Sequence, residues 1–358
     1  MKCIALQDCI MMQSMPISAG SKILDGFVAP FDAAVVEKLL ASDNISIARK
    51  FSMPEFGIGE LFEKNPSVAI NPLQILKEGV NCLCNDLFGW YRRLAAENDL
   101  CYIHPTYGTV SRYGLIQQAS SMDQIGVLCS DMAQGFELLS IIAGKDDRDG
   151  AMFHEKKYTY QPSDKSLKIW TPANIFAQAD QGAKTTILAN FAQKFDVIER
   201  KFDLFDVCKQ TMYILACAEI SNNISRYDGV KYGYRAPGVT KLDEMYTKTR
   251  SNAFEFDTKL TAIIGSMVLS AGQYQSHYEK AMKIRRLVKK ALNFDDYDVI
   301  ALPTSIADAQ YDNLGQYAIA QLAGLPSISF SHNGYGIQLI ANIKCEGDLL
   351  TAWEALRQ

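Results

Sequence analysis

The stretch Leu83–Gly108 reads LCNDLFGWYRRLAAENDLCYIHPTYG, and the fold is decided here. Gly89 stands between two large aromatics, Phe88 and Trp90, with Tyr91 following. Two readings of Trp90 stand: beside Phe88 and Tyr91 its indole fills a core, or it stacks on a planar ligand. Asp86 and Arg92 carry opposite charges six positions apart, and either hold a loop together by hydrogen bonds or bind an anion. Cys82, Cys84, Cys101 and His104 form a C-x-C…C-x-x-H set that could ligate zinc or present a thiolate. The spacing is not that of a standard zinc finger, and a thiolate needs a base in a chain holding four histidines (His104, His154, His277, His332).

Outward from this stretch, strands and helices alternate. Apolar spacing predicts a strand at Cys3–Leu6, a helix at Asp32–Ala41 with Asp32 as N-cap, and a strand at Ile45–Ala48. Strand, helix, strand is the unit of a parallel pair with a helix on its face. Asp131–Ala143 has helical spacing and stops at Gly144, and Leu167–Trp170 before Pro172 reads as a strand. Long helical patterns follow at Val207–Ser221 and Gln273–Leu292. Strands are expected at Val299–Leu302, Ile328–Phe330 and Gly336–Ala341, and a last helix at Leu349–Leu356. The polar Lys145–Lys165, with Gly150 and Pro162, reads as a surface loop between halves. No internal repeat or low-complexity tract interrupts the 358 residues, so the expectation is one α/β domain with a mixed, mostly parallel sheet.

Length leaves room for an ample core and does not discriminate function. The net charge is −4 and the 36 basic residues are spread out, so no footprint for direct nucleic-acid binding is present. No apolar run is long enough to cross a membrane, and MKCIALQDCIMMQSMP lacks the features of a signal peptide. No membrane association and a cytoplasmic location are expected. Nine cysteines scattered from Cys3 to Cys345 are expected as reduced thiols.

The Leu83–Gly108 stretch resembles, without a gap, the segment carrying the nucleophile in the amidase signature family, L-G-S-D-T-G-G-S-I-R-x-P-A-A ending in K-P-T-Y-G. Asp86, Gly89, Arg92, Ala95, Ala96 and Pro105–Gly108 match it. HPTYGTVSRYGLIQQASSMDQIG (His104–Gly126) is similar in particular to the A-type branch of the aspartyl/glutamyl-tRNA amidotransferase subunits. Ser21–Leu40, Met53–Gly59, Ala218–Pro237, Val268–Lys289 and Ala320–Ser329 extend the likeness over nearly the whole chain. The resemblance implies a central mixed sheet wrapped by helices, and an activity that releases ammonia from glutamine for a partner subunit's tRNA-bound substrate. It also implies a serine nucleophile, a second serine in a cis peptide, a lysine that shuttles the proton, and backbone N–H groups for the oxyanion.

The departures concern those groups. In the family's serine column stands Trp90, in its lysine column Gln7 beside a retained Asp8, and in a glycine column Phe88. The glycine-serine loop expected after Asn71-Pro72 is missing, with Leu73–Asn81 bridging a deletion. The columns of the substrate-carboxylate arginine hold Leu260 and Thr261, a shortening between Tyr317 and Gln321 is expected to remove the substrate-binding aspartate, and the family's N-terminal helices are expected to be missing. Lys22, after Ser21, is a substitute base or a solvated capping lysine; the Ser120-Ser121 pair has no catalytic duty in the family. Cys101 and His104 occupy ordinary family columns, and neither a metal nor a cofactor is implied. Arg226, Tyr232 and Tyr234, with Tyr227, Asp228 and Lys231, form the most intact polar-aromatic patch, which either contacts a small ligand or has a structural or subunit-contact role.

The expected function is therefore that of a pseudoenzyme with Gln7, Asp8, Asp86, Trp90 and Arg92 as degenerate family positions. Its partner is expected to be a protein, either amidotransferase B- and C-like subunits or an active amidase homologue. The alternative is an enzyme rebuilt around Cys82, Cys84, Lys22 or the Tyr232 region. Filling by Trp90 and Phe88 predicts a small apolar pocket at the old site.

Overall fold

The structure, a computed structural model, describes residues 2–58, 71–304 and 314–357; Gly59, at the end of one matching stretch, lies outside them. Ten strands form one sheet: β1 (Lys2–Gln7), β2 (Ile45–Phe51), β3 (Asn81–Asn85), β4 (Cys101–His104), β5 (Ile125–Cys129), β6 (Lys168–Pro172), β7 (Asp196–Arg200), β8 (Val299–Pro303), β9 (Ser327–His332) and β10 (Tyr335–Ala341). Their order is β2-β1-β3-β5-β4-β9-β10-β8-β6-β7. Described helices cover the sheet: α1 (Ala34–Leu40), α2 (Pro72–Lys77), α3 (Trp90–Glu97), α4 (Met132–Ile142), α5 (Ala173–Phe176), α6 (Gln181–Lys194), α7 (Phe205–Asn223), α8 (Leu242–Ala253), α9 (Phe256–Leu269), α10 (Lys280–Ala291), α11 (Leu314–Ala323) and α12 (Glu346–Arg357).

The α/β class and the mixed, helix-covered sheet are as expected, but parallel pairing holds only at the flanks. β2-β1-β3 and β8-β6-β7 are parallel, and every junction from β3 to β8 is antiparallel. The reason is local: β9 and β10 form a tight hairpin at Asn333-Gly334, and β5, which follows β4 with no helix between them, inserts antiparallel between β4 and β3.

Alternation along the strands sorts the core onto two faces. Ile4, Leu6, Leu83, Ile103, Val127 and Cys129 join the larger cluster. Ala5, Cys82, Cys84, Tyr102 and Leu128 join a smaller one with Trp90 and Tyr91. α4 begins where expected, with the Asp131 carboxylate accepting from Gln134 N at 2.8 Å. α1 does not: its N-cap is Ala33, because the Asp32 carboxylate is engaged by Gln13 N at 2.7 Å. The pattern over Gln273–Leu292 resolves into a wide π turn at Gln275–Glu279 running into α10. No regular element occupies Lys145–Lys165, as expected of a loop.

Candidate functional site

β1 and β3 lie side by side and parallel, so their carboxyl ends, Gln7 and Asn85, emerge together, where α/β sheets place their chemistry. Gln7 is fully buried. Its amide nitrogen donates to the Tyr91 hydroxyl at 2.9 Å, and its carbonyl accepts from Asn85 N at 2.7 Å and the Cys9 thiol at 3.2 Å. A neutral amide with both ends engaged ties β1 to β3 and α3, and has no basic lone pair to offer. Asp8 pairs with Lys50 at 2.6 Å and accepts from Ser18 N at 3.0 Å, which fixes the following turn.

The chain leaves β3 through Asp86–Gly89 and enters α3 at Trp90. Gly89 has φ 85°, and a Cβ there would come within 2.3 Å of the Tyr317 ring, so conformation and space both demand glycine. The buried Asp86 carboxylate accepts from Tyr91 N (3.1 Å), Arg92 N (3.0 Å) and Arg92 Nε (2.9 Å), satisfying the first turn of α3. Arg92, equally buried, also donates from Nη1 to the Tyr317 carbonyl and from Nη2 to the Asp86 carbonyl and Gln321 Oε1, each at 3.1 Å. Of the two readings of Asp86 and Arg92, the geometry matches the loop-holding one: both are fully buried and bonded to each other and to the turn. Tyr317 and Gln321, both on α11, supply this arginine with acceptors.

Trp90 is 7% exposed, its indole edge-on to Tyr91 with centroids 4.8 Å apart. Phe88 is buried in the larger cluster on the opposite side of the sheet. The structure does not bring the cysteine and histidine set together: Cys82 and Cys84 face the Trp90 side, whereas Cys101 faces the other. No cluster of three or more metal-ligating side chains occurs among the described residues. Burial pushes the Cys82 and Cys101 thiols up to about 12 and, with the Arg92 charge, holds His104 well below its ordinary value.

Lys22 is exposed, its ammonium 4.7 Å from the Tyr234 ring centroid, and Ser21 caps the turn at Ile23 N. Ser120 and Ser121 are engaged structurally: the Ser120 hydroxyl bonds Gln117, and Ser121 bonds Glu219 and Arg285. A group that sequence reasoning missed is Asp123. It accepts from Asn85 Nδ2, Ala119 N and Gln118 N, yet burial without a cation raises its carboxyl to about 6. The available signal was a lone carboxylate two residues before the apolar IGVLC of β5.

A cleft of about 560 Å3 opens elsewhere on the molecule. Arg226 and Tyr232 line it; Tyr234 does not. Phe27 and Tyr227 meet Tyr232 at ring distances of 5.2 and 6.3 Å, while Phe31 stacks on Tyr113 at 5.0 Å with Arg148 4.0 Å above. Sequence reasoning missed Phe31, Tyr113, Arg112 and Arg148 here, because they come from separate segments.

The chain matches the Amidase family over residues 3–73 and 89–329. The unmatched interval falls on the expected shortening and on the turn before Gly89. Over 410 residues it is 35% identical to the glutamyl-tRNA(Gln) amidotransferase A subunit of Lachnoclostridium phytofermentans, covering 99% of this chain and 82% of that one. The crystal structure of the Thermotoga maritima protein of the same name superposes with a TM-score of 0.73 at 25% identity, covering 98% and 81%. The fold alone is shared with 6-aminohexanoate cyclic dimer hydrolase, TM-score 0.78 at 15% identity over 99% and 84%. With its sheet, its Asp86–Arg92 turn and this breadth of similarity, the chain belongs to the amidase family, as a homologue of the glutamyl-tRNA(Gln) amidotransferase A subunit.

Proposed function

We propose that this protein is a catalytically inactive member of its family, acting as a structural or regulatory partner subunit in the cytoplasm. The observation that carries the reading is Gln7. In the column where the family's lysine shuttles a proton, an amide lies buried with both ends hydrogen-bonded. The nucleophile's column holds the buried indole of Trp90, and loss of members of a catalytic unit is worth several orders of magnitude in rate. The thiol version of a rebuilt enzyme is disfavoured by Cys82, whose burial keeps it protonated at neutral pH.

Two observations support a protein partner. The similar proteins are themselves named as subunits, and α9 is apolar on two sides. Its Gly265 side packs on α7, where a Cβ would come within 2.1 Å of Cys217 O, while Phe256, Ile263 and Met267 form an exposed stripe at helical spacing. Purification of the tagged chain from its source cells tests the reading. The expected result is stoichiometric recovery with an amidotransferase B- or C-like subunit or an active amidase homologue, and no glutaminase or amidase turnover by the chain alone. Recovery as a lone monomer with a bound metabolite, or turnover abolished by a point change in this chain, overturns it.

A further inference from the structure

We infer that the cleft beside Arg226 binds a small monocarboxylate with a flat, unsaturated body. The cleft's three guanidiniums are not equivalent. Arg112 is held by Asp149 through Nε at 2.9 Å and Nη2 at 2.6 Å, and Arg148 is neutralised by Glu37 and Asp146 at 2.6–3.1 Å. Arg226 has no carboxylate partner among the described residues. Its Nε and Nη2 donate to the backbone and side-chain oxygens of Asn223 at 2.8 and 2.9 Å, which fixes the guanidinium while leaving its charge and Nη1 unspent. A pre-positioned cation that need not be ordered on binding is what recognition of a carboxylate requires.

The other polar groups at the cleft point the same way. The Gln117 carbonyl oxygen is taken by the Ser120 hydroxyl at 3.0 Å, leaving its amide nitrogen as donor, and the Tyr232 hydroxyl has no partner among the described residues. Asp149, the one carboxylate on the wall, is committed to Arg112. Donors are available while the acidic acceptor is spent, so the ligand carries the acceptors. Its body is set by the aromatic rings of Phe27, Tyr232 and Phe31, which suit a planar apolar group, and about 560 Å3 is within the range of small-molecule sites. None of these residues occupies the degenerate positions around Gln7 and Trp90, so the site stands whether or not the chain is inactive.

Isothermal titration of the full chain with benzoate, cinnamate and indole-3-acetate, against benzamide and inorganic phosphate as controls, tests the inference. At least one of the three carboxylates is expected to bind with a Kd of about 1 mM or tighter. Arg226→Gln is expected to weaken that binding at least about tenfold, since it removes a charge-assisted bond. Tyr232→Leu is expected to weaken it severalfold, with circular dichroism showing both variants folded. Failure of all three carboxylates to bind, equal affinity for benzamide, binding of phosphate alone, or unchanged affinity in folded Arg226→Gln overturns the proposal.

Discussion

The turn around Gln7 and Trp90 and the cleft beside Arg226 each hold arginine and aromatic rings, and they differ in what remains unspent. At the turn, Arg92 has acceptors for its side chain within 3.1 Å and is fully buried. At the cleft, Arg226 is exposed, anchored on one side through Nε and Nη2 and open on the other. The same residue types therefore make scaffold where their hydrogen bonds close inward, and a receptor where one nitrogen is left facing solvent. Whether a charged residue is structural is decided by its acceptors, not by its identity.

The contrast breaks most readily at Arg92. Arg92→Ala strands the buried Asp86 carboxylate, so urea denaturation is expected to show a loss of about 3–5 kcal/mol. A loss below about 1 kcal/mol would place Arg92 with Arg226 rather than opposite it. Trp90→Ser should cost roughly 3 kcal/mol by emptying a packed aromatic position, and should restore no glutaminase turnover, because Gln7 cannot act as base. Detectable turnover in that single variant would reopen the turn as an active site.

Asp123, beside Asn85 on the closed side, gives a pH signature. Its carboxyl is raised from 3.8 to about 6 by burial. Between those values the folded chain binds more protons than the unfolded one. Its contribution is thus fully present below about pH 4 and lost as pH rises through about 6, amounting to some 2–3 kcal/mol. Asp123→Asn is expected to flatten that part of the stability profile, and an unchanged slope would show that the carboxyl titrates normally. The smallest expected effect is at the cleft: Arg226→Gln should change folding stability by less than about 0.5 kcal/mol, in keeping with a group held for binding. A larger loss would make it scaffold after all.

The fold was legible because periodic segments and an irregular motif agreed: the strands at Cys3–Leu6 and Val299–Leu302 and the helix capped by Asp131 all appear with bounds moved by a few residues. The central antiparallel pairing was not legible, because strand direction in β4 and β5 follows from turns between short fully buried segments that have no alternation to read. Asp32 misled for a related reason: a residue suited to capping was taken by a contact to Gln13. At the turn, the identities of Gln7, Asp86, Trp90 and Arg92 were plain in the sequence, and their hydrogen-bond partners Asn85, Tyr91, Tyr317 and Gln321 were not. The cleft was half legible, since Arg226 and Tyr232 are close in the chain while Phe31 and Tyr113 reach it only through tertiary packing.

The Gln7 amide also sets an energetic barrier against a base at its own position. Its carbonyl is the acceptor for a backbone N–H and a thiol that are both sealed from water. A lysine placed at that position offers only donors, so the Asn85 N–H would be left orphaned at a cost of about 1–3 kcal/mol. The fold around β1 and β3 thus opposes a basic side chain at this position, whatever that side chain could do chemically.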